Sequence, residues 1–184
     1  MEAASQHLLL GAAVVLLVSI VGAGVRRPQG IGLRDFFSLH CRIKCDWKQA
    51  AKLADILRND CAWSPATYTY QSATLNCMSE SEASAEDLKK QTMELLKKVP
   101  SLRIRYAGKT IPAEKFAITT SERYVTGEKE LIAPALEFMY IWNIWAILEK
   151  KKELVDPLLA IIESKVAKLA NVLSKSQTTW IPDV

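Results

Sequence analysis

The sequence predicts an all-α protein built from antiparallel pairs of helices. Nearly half of its 184 residues are hydrophobic (49%), which is enough for a packed core, while 7 Gly and 7 Pro are too few to punctuate many short strands. Apolar residues recur at helical spacing through most of the chain, and short polar segments separate these runs. Helices joined by short turns pack in an antiparallel manner, so the pattern favours a fragment of an α-solenoid.

An apolar leader precedes the helical region. Residues 8–25 form an uncharged run that, as a helix, would be about 27 Å long, enough to cross the core of a bilayer. Arg26 and Arg27 follow it and only Glu2 is charged before it, so the positive-inside rule predicts a single membrane anchor with the C-terminal part in the cytoplasm. A cleaved signal peptide is the competing interpretation, and a buried or non-native leader is the third. A linker completes this leader segment, residues 1–32.

The clearest helical pattern begins at two matching phrases, Trp47-x-x-Ala50 and Trp63-x-x-Ala66, which lie sixteen residues apart. Each begins an amphipathic segment, and the polar residues 58–60 separate the two segments. The apolar positions of the first segment are Ala50, Leu53, Ala54 and Leu57, and those of the second are Ala66, Tyr70 and Ala73. Because neither segment can bury its apolar stripe alone, we expect two helices packed as an antiparallel pair.

Further helices are expected on both sides of this pair. Residues 33–45 form an amphipathic segment whose apolar positions are Phe36, Phe37, Leu39 and Ile43. After the polar loop 79–86, Ser84 and Asp87 provide a helix-start signal that resembles a capping box. Pro100 ends the helix that follows. Its expected buried stripe consists of Leu88, Thr92, Leu95, Leu96 and Val99.

Residues 100–108 permit two interpretations. Alternating apolar residues and Gly108 are compatible with a β-hairpin, whereas Pro100 and Gly108 can also begin and end a short helix. A lone hairpin in a helical chain would lack partner strands, so we expect the short helix. Pro112 then begins another helix, which runs to Gly127.

The last third of the chain contains a short, very apolar helix and a long amphipathic one. Residues 134–148 are apolar on nearly every face but too few to span a membrane, so we expect a helix packed on several sides. The expected core of this half consists of Phe138, Tyr140, Trp142 and Trp145. A last helix is expected from Leu154 to about Ser174. The helical domain is thus expected over residues 33–171, with residues 172–184 as a C-terminal tail.

Three segments of the chain together resemble one known family. Ala66-x-x-x-Tyr70-x-x-Ala73 fits the second-helix signature of a tetratricopeptide repeat. The segments CDWKQAAKLADIL…WSPATYTYQSATL, KKVPSLRIRYAGKTIPAEKFA and PALEFMYIWN follow one another as in the tetratricopeptide repeat protein 39 family, which includes fungal Iml2-like proteins. The resemblance extends from residue 45 to about residue 170. Members of the family are much longer, so the chain resembles their C-proximal part and is interpreted as a truncated or partial product.

The resemblance implies a non-enzymatic helical scaffold that binds another protein through a helix-lined surface. The family has been connected with lipid homeostasis, ciliary assembly and, in fungi, mitochondria-associated protein clearance. We therefore expect a protein partner, together with self-association through uncapped repeat ends. Combined with the predicted anchor, this places the chain at a membrane with its helical domain facing the cytoplasm. A soluble cytoplasmic protein is the alternative.

The chain offers little for a chemical site. Cys45, Cys61 and Cys77 recur at sixteen-residue spacing, and His40 and Cys41 lie near the first of them. Because no Cys-x-x-Cys occurs, we interpret these cysteines as helix-packing residues rather than as zinc ligands or redox residues. Four cysteines are also too few for a disulfide scaffold. With only two histidines and no glycine-rich phosphate loop, we expect no enzyme, no catalytic or cofactor-binding residue and no metal ion.

Positive charge is concentrated between residues 89 and 115. Eight cations lie in this run: Lys89, Lys90, Lys97, Lys98, Arg103, Arg105, Lys109 and Lys115. Against Glu94 and Glu114 they leave a net charge of +6, whereas the whole chain carries only +4, too little to indicate a nucleic-acid partner. A solvated face is the first interpretation, contact with anionic lipid is the alternative function, and RNA binding is third because stacking aromatics are not interleaved. We expect four aromatic residues to lie in the core rather than in a peptide-binding surface: Tyr68, Tyr70, Trp142 and Trp145.

Overall fold

The computed structural model describes residues 31–60, 63–79, 85–105, 108–128 and 130–178. Within these ranges the chain forms eight α-helices and one 3-10 helix, without a β-strand, so the all-α class is confirmed there. The α-helices are α1 (Ile31–Ile43), α2 (Trp47–Asp60), α3 (Pro65–Ser79), α4 (Ala85–Lys98), α5 (Pro112–Val125), α6 (Pro134–Ile141), α7 (Trp145–Leu148) and α8 (Lys152–Thr178), and the 3-10 helix is Val99–Leu102. The predicted leader helix at residues 8–25 and the capping residue Ser84 lie outside the described residues.

Local capping interactions explain where α1 ends and α2 begins. Cys45 adopts the left-handed conformation (φ 58°), and two backbone hydrogen bonds of the Schellman type close the turn there. Asp46 then caps α2, because its Oδ1 accepts the backbone N–H of Gln49 at 3.1 Å. The turn brings the start of α1 beside the end of α2, where Arg34 and Asp60 form an ion pair. The two helices are therefore antiparallel.

The contact between α2 and α3 confirms the predicted antiparallel pair. Leu57, near the end of α2, packs beside Tyr68, near the start of α3. Ala54, one turn earlier in α2, packs beside Leu75, near the end of α3. The order of contacts along one helix is thus the reverse of the order along the other, which defines an antiparallel pair.

The predicted apolar stripe of α3 faces a different set of helices from the one expected. It lies against α4, α5 and α6 rather than against α2. The cluster that contains it consists of Ala66, Tyr70, Ala73, Leu96, Val99, Ala113, Ala117, Ile118 and Phe138. The difference arises because α3 is buried on every side, from Ala66 to Asn76, and therefore presents one packing face to α2 and another to the later helices. α3 is the central helix of the described region.

Ala73→Leu should lower the free energy of unfolding by about 1–3 kcal/mol, because Ala73 is fully buried where α3 approaches the later helices. Urea unfolding followed by circular dichroism measures the change. Gln91→Leu, which adds the same side chain at an exposed position of α4, is the matched control and should change the free energy by less than about 0.5 kcal/mol. An Ala73→Leu protein as stable as the wild type would contradict the packing described around α3.

The predicted single helix over residues 134–148 is wrong, because the chain breaks at Asn143. Asn143 adopts the left-handed conformation (φ 55°), and its N–H donates to the carbonyl oxygen of Tyr140 at 2.8 Å. Asn tolerates this conformation better than most residues do, so α6 ends at Ile141 and the short α7 begins at Trp145.

The break also decides which aromatic residues reach the core. α6 packs through five buried residues, Pro134, Ala135, Leu136, Phe138 and Met139. Tyr140 lies on the remaining face and is 70% exposed, so its predicted core position is wrong, whereas that of Phe138 is confirmed. Trp142 and Trp145 are half-buried.

α8 packs on the rest of the protein mainly through its first turns. Leu154 and Leu158 are buried in a cluster with Leu39 and Ile43 of α1 and with residues of α6 and α7. Farther along, Val166 is more than half exposed. The helix continues to Thr178 and so extends beyond the predicted end.

The segment between α4 and α5 begins as the expected short helix, in the form of the 3-10 helix Val99–Leu102. Residues 103–105 then follow without regular structure, and α5 begins at Pro112 as predicted. Gly127, with φ 81°, ends α5 by the same Schellman pattern that ends α1.

Candidate interaction surface

A fully buried acid, Glu114, lies in the first turn of α5 and joins three parts of the chain. Its Oε2 accepts the hydroxyl of Ser64 at 2.6 Å, and its Oε1 accepts the backbone N–H of Ile104 at 2.8 Å. Ser64 immediately precedes α3, and its Oγ lies 2.7 Å from the hydroxyl of Thr67. The first turns of α3 and α5 therefore lie at the same end of the bundle, and Glu114 fastens the segment after the 3-10 helix to both.

The fastened segment and its neighbours carry a basic surface that we call the basic rim. It comprises six exposed cations in the last turn of α4, the segment after the 3-10 helix and the first turn of α5: Lys97, Lys98, Arg103, Arg105, Lys109 and Lys115. Arg103 Nε donates to Thr110 Oγ1 at 3.0 Å, which holds the two ends of the segment together. Lys89 and Lys90, the other cations of the predicted run, are exposed earlier along α4.

The cations of this run are exposed, as the interpretation of a solvated face requires. In the part of the chain that the structure describes, none of them forms an ion pair with a carboxylate. The ion pairs found there are Arg34–Asp60, Arg58–Asp55 and Arg123–Glu128. Glu114, the second acid of the run, is not at the surface to pair with these cations, because its side chain is buried and bonded to Ser64 and Ile104.

A second polar contact holds α1 against α3. Tyr68 Oη donates to Asp35 Oδ2 at 2.8 Å, and Gln71 Nε2 donates to Ser38 Oγ at 3.3 Å. Arg42 is buried on α1, and this burial lowers the pKa of its guanidinium to about 10, against the opposing effect of Asp35. These groups face one another across the helix interface, so we interpret the contact as structural.

Three of the cysteines and the histidine singled out in the sequence lie within the described residues. Cys41, Cys45 and Cys77 are half-buried, Cys61 lies outside the described residues, and His40 is half-buried on α1. Burial raises the pKa of the Cys41 and Cys45 thiols, which makes both less reactive than an exposed cysteine. Among the described residues, no three His, Cys, Asp or Glu side chains are placed to hold a metal ion together.

The aromatic side chains mostly serve the core. Tyr68 and Tyr70 are buried, which confirms their predicted positions. Tyr70 packs edge-on against Phe116 and Phe138, with ring centroids 6.0 and 5.3 Å apart, and burial raises the pKa of its hydroxyl well above the usual range. The half-buried Trp142 contacts three of the apolar clusters and so links α1, α3 and the later helices.

Among the described residues, the large apolar side chains that remain exposed lie outside the run 89–115. They belong to α1, α2, α8 and the region from the end of α5 through α6: Phe37, Ile56, Val125, Ile132, Tyr140, Ile141, Leu159 and Val166. No helix in the described ranges combines the length and the apolar character that crossing a membrane demands. The predicted anchor at residues 8–25 falls outside those ranges.

The sequence is similar to that of known proteins. The family model described as Iml2/Tetratricopeptide repeat protein 39 matches residues 36–179. Tetratricopeptide repeat protein ttc-39B of Caenorhabditis elegans is 36% identical over 112 residues, which cover 59% of this chain but only 18% of that protein. No solved structure matches the chain. Because the family model covers most of the sequence, the chain belongs to the Iml2/tetratricopeptide repeat protein 39 family, as the resemblance of its segments predicts.

Proposed function

We propose that this chain is part of a non-enzymatic helical scaffold that binds a partner protein through the outer faces of its helices. The observation that carries the proposal is the burial of α3, whose residues Ala66–Asn76 are all covered by neighbouring helices. Helices packed around a covered central helix hold their outer faces in fixed positions relative to one another. A partner that binds such a surface loses little free energy to ordering the scaffold.

Family membership supports the same function. Tetratricopeptide-type repeats supply extended surfaces rather than enclosed reaction sites. The buried polar side chains also favour a structural role, since Glu114 bonds to Ser64 and Ile104, and Tyr68 bonds to Asp35, across contacts between segments of the fold.

The full chain, immobilised, should retain a protein from a cell extract, and that protein, once purified, should bind the full chain saturably in solution. Three surface variants test whether an outer face is responsible: Val166→Asp on α8, Tyr140→Asp on α6, and Lys97→Glu/Lys109→Glu/Lys115→Glu on the basic rim. At least one should weaken binding by about tenfold with unchanged helicity, because a few residues carry most of the energy of an interface. Absence of any bound protein, or wild-type binding by all three variants, would overturn the proposal.

A further inference from the structure

We infer that the basic rim is the docking site for an acidic segment of the partner protein. The inference rests on the proposed scaffold function and adds the surface and the chemistry of the partner. The whole chain carries +4 and the run 89–115 carries +6, so the remaining residues are left with −2. The rim holds six of the eight cations of that run. Such a patch steers an oppositely charged partner towards itself and fixes its register.

Glu114 is not available at the surface as a partner for the cations of the rim. Its side chain is fully buried, so Glu94 is the one acid of the run whose side chain lies at the surface beside eight exposed cations. None of those cations has a carboxylate partner in the described residues, so an incoming acidic segment would not have to displace an existing ion pair there. The rim is thus ready to accept carboxylates.

The same acid also fixes the shape of the rim. Glu114 Oε1 holds the N–H of Ile104, which lies between Arg103 and Arg105, at 2.8 Å. The bond from Arg103 to Thr110 holds the segment again, at 3.0 Å. A preformed site costs less conformational entropy on binding. A guanidinium carries several N–H donors and can hold a carboxylate through two parallel hydrogen bonds.

An acidic protein segment fits this surface better than a lipid bilayer does. Helices that lie on membranes combine basic residues with an apolar face that enters the lipid. The apolar face of α4 instead packs inside the protein, where Thr92 and Leu96 are buried. No large apolar side chain of the described residues is exposed between 89 and 115, so the described part of the rim offers charge without a group to insert. An extended acidic segment can bind through its carboxylates to the charge of the rim, without an apolar group to insert.

The test uses the full chain and a fluorescein-labelled peptide of alternating Glu and Ser, with fluorescence anisotropy as the readout. The triple variant Lys97→Glu/Lys109→Glu/Lys115→Glu should bind this peptide at least about tenfold more weakly than the wild type. The control variant Lys44→Glu/Lys52→Glu/Lys168→Glu changes the net charge by the same amount at exposed positions outside the rim. Its affinity for the peptide should change less than about twofold, because salt screens exposed charges that the peptide does not contact. Circular dichroism establishes that both variants are folded.

Two further arms complete the test. A Gln–Ser peptide should not bind, and vesicles of equal parts phosphatidylcholine and phosphatidylserine should bind no more strongly to the wild type than to the rim variant. Equal weakening by both triple variants, no binding of the acidic peptide, or vesicle binding that depends on the rim would each overturn the inference. If the rim triple variant does not fold, Lys97→Gln/Lys109→Gln/Lys115→Gln replaces it and should still weaken peptide binding several-fold. A purified partner that binds the rim variant normally but not Val166→Asp would leave the scaffold function intact while rejecting the rim.

Discussion

Phe138→Ala should lower the free energy of unfolding by about 4 kcal/mol, the largest effect expected of a single substitution in this protein. The side chain is 1% exposed and lies where α3, α5 and α6 meet. Its ring centroid lies 5.3 Å from that of Tyr70, 6.3 Å from that of Phe116 and 6.2 Å from that of Trp142. Truncation removes these contacts and leaves a cavity that three helices must collapse to fill, which a close-packed interior does only in part.

Tyr140→Ala is the matched control, since it removes an aromatic side chain of similar size from the same helix two residues later. Tyr140 is mostly exposed, so the free energy of unfolding should change by less than about 0.5 kcal/mol. Urea unfolding of both variants followed by circular dichroism gives the comparison. Phe138→Leu should lower the free energy of unfolding by an intermediate amount, because leucine keeps most of the apolar volume. Equal costs for the two alanine variants would mean that α6 is turned differently about its axis.

Helical periodicity predicts burial well in this chain but not the identity of the opposing helix. Leu57, Ala66, Tyr70 and Ala73 are all fully buried, as their spacing indicates. An apolar stripe at helical spacing predicts that one face of the helix is buried, but any apolar surface of matching shape can cover that face. The spacing pairs the stripe of α3 with the nearest helix in the sequence, whereas the stripe packs on helices that come later. Both arrangements bury it, because α3 is covered on every side. The finer arrangement as an extended α-solenoid stays a prediction.

The sequence contains a signal for the break at Asn143. A single Asn within PALEFMYIWNIWAIL is the residue most able to adopt the left-handed conformation that ends α6, and it does so here. The apolar residues on both sides of Asn143 predict one continuous helix with Tyr140 in the core. The break at Asn143 instead leaves Tyr140 exposed.

Glu114 had no comparable signal. An acid in the first turn of a helix is typical of a solvent-exposed residue favoured by the helix dipole, and it sits in a run of exposed cations. Its partner Ser64 lies 50 residues earlier in the sequence, and the N–H of Ile104 belongs to a segment without regular structure. Only the packing of α5 beside α3 brings these groups together. The spacing of residues within α5 does not predict that contact.

Glu114→Ala should lower the free energy of unfolding by about 3 kcal/mol. The substitution leaves the Ser64 hydroxyl and the Ile104 N–H without their acceptor, and an unpaired buried polar group costs about 1–3 kcal/mol. Glu114→Gln keeps one oxygen that accepts a hydrogen bond and should cost about half as much. Glu94→Ala, at an exposed position of α4, is the control and should change the free energy by less than about 0.5 kcal/mol. Urea unfolding measures all three.

A double variant, Glu114→Ala with Ser64→Ala, tests whether the two residues stabilise the protein through one shared hydrogen bond or independently of each other. Because the two side chains are bonded to each other, the double variant should cost less than the sum of the single ones. Hydrogen exchange adds a local measurement, since the amide of Ile104 should exchange faster in Glu114→Ala than in the wild type. Additive costs together with unchanged exchange at Ile104 would mean that Glu114 does not fasten the segment. The basic rim would then lack the fixed geometry that favours it as a docking site, and its affinity for an acidic peptide would have to come from charge alone.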